Sequence, residues 1–211
     1  SPDKMSTYKL TYFDAKARAE VPRLLFAKAG VKYEDERINH DQFKELKDKT
    51  PFGQVPILEV DGKVICQGYA ITRFLAKRFG LAGKDEFEEA RMDEVALGME
   101  DIIQPLFKFF NEKDETRKAE AKKKYEEEQL PGYLKFLERM LVQNKGGDGF
   151  FIGDSVTAAD LCYTHFIGFT RLGHITIDWS NYPKLQALSK RVEEDDPKIA
   201  EWIKNRPVTA Y

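Results

Sequence analysis

Cysteine is scarce in this chain: Cys66 and Cys162 are the only two in 211 residues, too few and too far apart for a disulfide framework, a zinc cluster or a Cys-x-x-Cys redox pair. Redox chemistry on protein thiols is disfavoured. Long apolar runs are missing too. The longest stretch free of Asp, Glu, Lys and Arg, Leu161 to Thr170, has ten residues, whereas a membrane-crossing helix needs about twenty apolar ones. Charge of one sign is also lacking, because 36 Asp and Glu exceed 34 Lys and Arg by only two. The broad basic field of a nucleic-acid binder is absent, so neither nucleic acid nor membrane is an expected partner. The start reads Ser-Pro-Asp-Lys before Met5, without an apolar leader, and no Asn-x-Ser/Thr acceptor occurs. Ser1 to Lys4 are read as a remnant ahead of a natural start at Met5, and a cytoplasmic location is expected. The three histidines, His40, His165 and His174, lack metal-ligand or triad spacing; no metal is required, and His165 is expected to be a satisfied core residue.

What is present is a folding chain, with 42% hydrophobic residues and enough length to bury a sizeable core. Tyr8 to Phe13 is a strand pattern, and Val21, Leu24 and Leu25 repeat at helical spacing until Gly30. Tyr33 to Ile38 reads as a second strand and Asp41 to Asp48 as a short polar helix capped by Asp41. Ile57–Val60 and Val64–Cys66 flank Asp61-Gly62, a dipeptide that favours a tight hairpin. A helix with Ile71, Phe74 and Leu75 on one face follows. The order β-α-β-α-β-β-α predicts a compact α/β unit around a mixed sheet over residues 5–82. Residues 83–211 carry no convincing strand and predict an all-α domain. There, Met92 to Phe110 keep one helical period, a second long pattern runs from about Arg117 to Asn144, and Thr157 with Asp160 forms a capping box stapled by Val156 and Leu161. Two last helices start near Pro183 and Pro197.

Three features carry chemistry. Tyr12 sits at the C-terminal end of the first strand, where ligands of open α/β sheets usually lie. Val55-Pro56 precedes the third strand, and Gln67-Gly68 opens a helix whose free backbone N–H groups can hold a carboxylate. Phe13, Met99 and Phe107 are candidates to line an apolar pocket.

A tyrosine where thioredoxin-like redox proteins place a cysteine, followed by Val-Pro and a polar residue opening the third helix, resembles the glutathione transferases. Tyr8-Lys9-Leu10-Thr11-Tyr12-Phe13, Arg18-Ala19-Glu20, Pro51-Phe52-Gly53-Gln54-Val55-Pro56-Ile57-Leu58-Glu59-Val60-Asp61-Gly62, Ala70 to Leu75 and Arg206-Pro207 are similar to the sigma class, which includes the haematopoietic-type prostaglandin D synthases. The resemblance implies a thioredoxin-like N-terminal domain that binds glutathione as co-substrate. It also implies an all-α C-terminal domain that receives a small apolar electrophile, in a homodimer. It implies that the Tyr12 hydroxyl donates to the glutathione sulfur, assisted by Arg18. It further implies a cis Val55–Pro56 bond whose Val55 backbone, beside Gln54, pairs with the cysteinyl part of the ligand. Gln67 and Gly68 then hold the γ-glutamyl end, Lys47 pairs with the glycyl carboxylate, and Asp101 of a second subunit reaches the γ-glutamyl amine. Two positions depart from the pattern: Gly68 stands where a serine is usual, and Phe43 where a tryptophan reaches the glycyl carboxylate. Both predict weaker glutathione binding. The alternatives within the same scaffold are a glutathione-dependent prostaglandin D isomerase and a non-enzymatic crystallin or apolar-ligand carrier.

Overall fold

The computed structural model of the protein describes residues 6–209; the start read at Met5 lies outside them. Four strands, β1 (Tyr8–Phe13), β2 (Glu34–Ile38), β3 (Ile57–Val60) and β4 (Lys63–Cys66), form one sheet in the order β2-β1-β3-β4. β2 runs parallel to β1, and β3 is antiparallel to both β1 and β4. Tyr8, Leu10 and Tyr12 share one face of β1 by the two-residue period of a strand. On that face Tyr8 meets Phe26 of α1 (Glu20–Ala29) edge-on at 5.4 Å. On the opposite face Lys9 and Thr11 both engage Glu36 of β2, at 2.8 and 2.7 Å. Asp61 and Gly62 take φ of +49° and +81°, as the tight hairpin between β3 and β4 requires.

The second strand starts one residue later than expected, at Glu34, and the Tyr33 ring just before it stacks on Phe26 at 4.1 Å. The short helix α2 (His40–Leu46) is capped by Asn39 rather than Asp41. The Asn39 carboxamide oxygen accepts from the backbone N–H groups of Asp41 and Gln42, and Gln42 reaches back to the Asn39 N–H at 2.8 Å. On α3 (Gly68–Arg78) the buried stripe is Ile71, Thr72, Leu75 and Ala76, with Phe74 only half-buried.

The remaining elements are helical: α4 (Glu86–Asn111), α5 (Glu115–Lys124), α6 (Leu130–Gln143), α7 (Ala158–Leu172), α8 (Pro183–Glu193) and α9 (Pro197–Asn205). The pattern expected as one helix from Arg117 to Asn144 is interrupted by a π-helical stretch, Tyr125–Gln129. Pro131 follows after Leu130 and has no N–H to donate to the ladder. The interruption leaves Tyr125 buried, its hydroxyl donating to the Ile102 carbonyl at 3.1 Å. α7 is the axis of this half and packs against α4, α1 and α8, so one apolar core joins sheet and helices. Its start matches the sequence reading. The fully buried Asp160 carboxylate accepts from the backbone N–H of Phe151 (2.9 Å) and of Thr157 (2.8 Å) and from the Thr157 hydroxyl (3.0 Å).

Burial pushes the Asp160 carboxyl up to about 6 against the pull of these three donors, so it is mostly ionised at neutral pH. Replacing Asp160 with alanine strands two buried backbone donors. A loss of about 2–4 kcal/mol is expected in urea denaturation at pH 7. His165, midway along α7, lies edge-on to Phe169 at 4.8 Å. Burial, reinforced by Arg206, Lys16 and Arg23, lowers its pKa to about 3. The folded value lies below the unfolded one, so the stability it contributes is complete above about pH 6.5 and is lost as pH falls, because only the unfolded chain takes up the proton. Between pH 7 and pH 5 the wild type should lose about 2 kcal/mol more than His165→Phe; equal losses in the two proteins would sink this assignment.

Candidate functional site

The C-terminal edge of β1 delivers Tyr12 and Phe13 to a turn, Asp14–Lys16, and a short 3-10 segment, Ala17–Ala19, before α1. This turn is tied down by α1 itself: the fully buried Arg23 donates to the Ala15 carbonyl at 2.6 Å and to Asp35 at 3.0 Å. Tyr12 is consequently held with only 8% of its surface exposed. Burial raises the pKa of its phenol, while the backbone N–H of Arg18 and the charges of Arg18 and Arg23 oppose the rise. The balance keeps the hydroxyl protonated and able to donate at neutral pH. Arg18 is exposed, with its guanidinium 5.9 Å from the Phe107 ring centroid on α4.

A second cluster gathers behind Arg18. Gln67 caps α3 at φ +72°, ψ +118°, a strained conformation for a residue with a side chain. Gly68 opens the helix, and a Cβ there would lie 3.3 Å from the Arg18 carbonyl oxygen, 3.7 Å from the Arg18 Cβ and 3.9 Å from the Pro56 Cγ. Three chain segments therefore meet at Gly68 because it has no side chain. The Val55–Pro56 bond is cis. Gln54 is exposed just before it, and Lys47, in the 3-10 turn after α2, folds its side chain over Gly53. Phe43 of α2 meets Phe13 edge-on at 5.3 Å. Asp101 is exposed on α4. Its neighbour Glu100 is the carboxylate whose charge reaches Tyr12 of the same chain.

Beside Tyr12 opens a cleft of about 1010 Å³. One wall is apolar: Tyr12, Phe13, Ile38, Phe107, Phe110 and Pro207. The rest of the lining is polar: Asp14, Arg37, Asn39, His40 and Gln42, with Asn111 beside the α4 aromatics. Of the ten residues expected to form the site, only Tyr12 lines this cleft. Phe13 and Phe107 line it as expected, whereas Met99 is buried in the core with 1% exposure. The polar lining was missed from the sequence. Arg37 is Tyr12's partner across the parallel β1–β2 pair, a proximity no local pattern announces. His40 and Gln42 carried only the signal of a helix start. No cluster of three or more His, Cys, Asp or Glu suited to a metal ion occurs among the described residues, and no described helix is long and apolar enough to cross a membrane.

Comparison with known proteins gives a consistent result. The family model described as "Glutathione S-transferase, N-terminal domain" matches residues 8–77, and "Glutathione S-transferase, C-terminal domain" matches residues 100–206. The chain is 42% identical to hematopoietic prostaglandin D synthase of Gallus gallus over 206 residues, and 39% identical to glutathione S-transferase 1 of Ascaris suum over 210. Each match covers 98% of this chain and 100% of the relative. Among solved structures, a rat hematopoietic prostaglandin D synthase complexed with a quinoline superposes with a TM-score of 0.85 at 33% identity, covering 97% of this chain and 100% of that one.

Proposed function

The chain belongs to the glutathione S-transferase family, and on that premise we propose that it conjugates the glutathione thiolate to small apolar electrophiles held in the cleft beside Tyr12. The observation that carries this reading is a buried phenol, kept protonated, at the junction between that cleft and the segments meeting at Gly68. A free thiol with pKa of about 8.5 is only about 3% ionised at pH 7, and lowering that pKa by about two units takes roughly 2.7 kcal/mol. One hydrogen bond to a charged group contributes about 1.5–3 kcal/mol. A hydroxyl donated by Tyr12 to the sulfur is therefore of the right size alone. Arg18, exposed near the Phe107 ring, adds a cation on the same side, and the thiol's proton goes to water. Tyr12 is a donor, and its raised pKa removes any role as a base.

In this reading the domain over residues 5–82 holds the tripeptide, and the domain over 83–211 supplies the aromatic wall from α4. Val55, beside Gln54 and Pro56, offers its backbone to the cysteinyl part, Lys47 and Phe43 flank the glycyl end, and Gln67 and Gly68 take the γ-glutamyl carboxylate. The exposed Asp101 acts in the site of a second subunit, so the working form is a homodimer. Phe52, with 68% of its surface exposed beside the site loop, is a candidate for cover by that subunit. A sigma-type, cytoplasmic detoxifying role completes the proposal. An apolar cleft next to a stabilised thiolate suits isomerisation of a prostaglandin endoperoxide as well, and the intact Tyr12 cluster weighs against a carrier that has lost its chemistry.

The ultraviolet absorbance of the bound thiolate, titrated with pH, tests the central step. In Tyr12→Phe the midpoint should rise by about one to two units; an unchanged midpoint removes Tyr12 from the mechanism. Gly68→Ser supplies the missing hydroxyl, worth about 1–3 kcal/mol, against a contact at 3.3 Å that must give by a few tenths of an ångström. Isothermal titration should show glutathione binding about five- to tenfold tighter, and no gain would end the account of Gly68 as a weakened subsite.

A further inference from the structure

The cleft is lined by both aromatic and polar side chains, and that combination specifies a ligand. Tyr12 is the one residue common to the cleft lining and to the expected tripeptide residues. Three of the polar side chains present N–H groups that the protein does not use. The guanidinium of Arg37 is fixed by Asp35 (Nε and Nη2, both 2.9 Å) and by Asp14 (Nη1, 2.9 Å), which leaves one N–H on each terminal nitrogen. Gln42 accepts the Asn39 N–H with its carboxamide oxygen, which leaves its amide N–H groups. His40 is exposed, rests on Phe13 at 5.1 Å and has no hydrogen-bond partner among the described residues.

The Arg18 guanidinium lies 5.9 Å from the ring centroid of Phe107, which lines the cleft. The single carboxylate on the cleft wall, Asp14, is engaged by Arg37.

Resting on the transferase reading, we propose that the electrophile has an apolar body and an anionic carboxylate end. The body lies along Phe13, Phe107 and Phe110, and the carboxylate is received by Arg37 and His40 with the amide of Gln42. Those three are specificity-determining residues that discriminate acidic from neutral electrophiles by charge-assisted hydrogen bonds.

A matched pair tests it: 4-chloro-3,5-dinitrobenzoate and its methyl ester. In both, the glutathione thiolate forms the C–S bond at C4, the C–Cl bond breaks with loss of chloride, and the thiol's proton passes to water. The readout is the ratio of kcat/KM for acid over ester, which cancels their common chemistry. In His40→Ala, and in Arg37→Gln confirmed folded by circular dichroism, that ratio should fall about tenfold, the size of one charge-assisted hydrogen bond. His40 is exposed and makes no side-chain hydrogen bond among the described residues, so its variant is not expected to disturb the fold. Equal losses on both electrophiles, or none, overturn the proposal. Should the wild type turn over neither compound, the transferase reading fails by itself, and isothermal titration of the two pre-made glutathione thioethers decides this one. A preference for the acid thioether that disappears in His40→Ala supports it, and equal affinities of the wild type for acid and ester overturn it.

Discussion

A line of alternating guanidinium and carboxylate groups runs beneath the site, and the geometry around Tyr12 depends on it. Arg206 and the Trp202 indole N–H both donate to Glu20, at 2.9 and 2.8 Å. Glu20 faces Arg23 at 3.7 Å, Arg23 and Arg37 share the two oxygens of Asp35, and Arg37 ends on Asp14 at the cleft. Glu20 and Arg23 are essentially without solvent contact. Removing one partner from such a buried pair costs about 3–5 kcal/mol, mostly because the other charge is left uncompensated. The line therefore acts as a constraint on position: the turn carrying Asp14 and Ala15 cannot move without exposing or stranding a charge. It also joins the last helix to the first, so Pro207 reaches the cleft wall because Arg206 is anchored on Glu20.

From that constraint the division of the site follows. α1 fixes the turn, the turn fixes Tyr12 and Arg18, and Gly68 and Pro56 close on the Arg18 backbone from the other side. The phenol then stands where a groove of exposed polar residues meets a cleft with an aromatic wall. Burial acts in two directions here. It raises the pKa of Tyr12 and so keeps the donor, and it lowers that of His165 behind the turn and so keeps the imidazole neutral among Arg206, Lys16 and Arg23. A further positive charge beside those three cations is thereby avoided.

Much of the local structure was legible because it is written in short-range rules. The hairpin at Asp61-Gly62, the capping box of Thr157 and Asp160, and the proline starts of α8 and α9 each need only neighbours within a few residues. Where two local solutions competed, the reading slipped. Asn39 and Asp41 can both cap, and the reach of Gln42 back to the Asn39 N–H decided for Asn39. The period that promised one unbroken helix across Pro131 could not register the π-helical stretch just before that proline, in which Tyr125 is buried. Met99 fell to the core for a similar reason. Helical spacing tells that a residue is apolar and inward, but not whether the inside it faces is a cleft or packed side chains.

The sequence by itself determined that this is a mixed-sheet α/β unit followed by helices, and that Tyr12, Val55-Pro56 and Gln67-Gly68 sit at strand and helix ends where ligands gather, because those facts follow from periodicity, turn chemistry and capping. Only the tertiary structure decided which distant charges meet, that Gly68 is the contact of three segments, and that Arg37, His40 and Gln42 line one cleft with aromatic side chains from α4. Residues as far apart as Glu20 and Arg206 become partners through packing. Ion pairs and cleft walls of that kind depend on long-range approach, for which a linear chain carries no periodic signal.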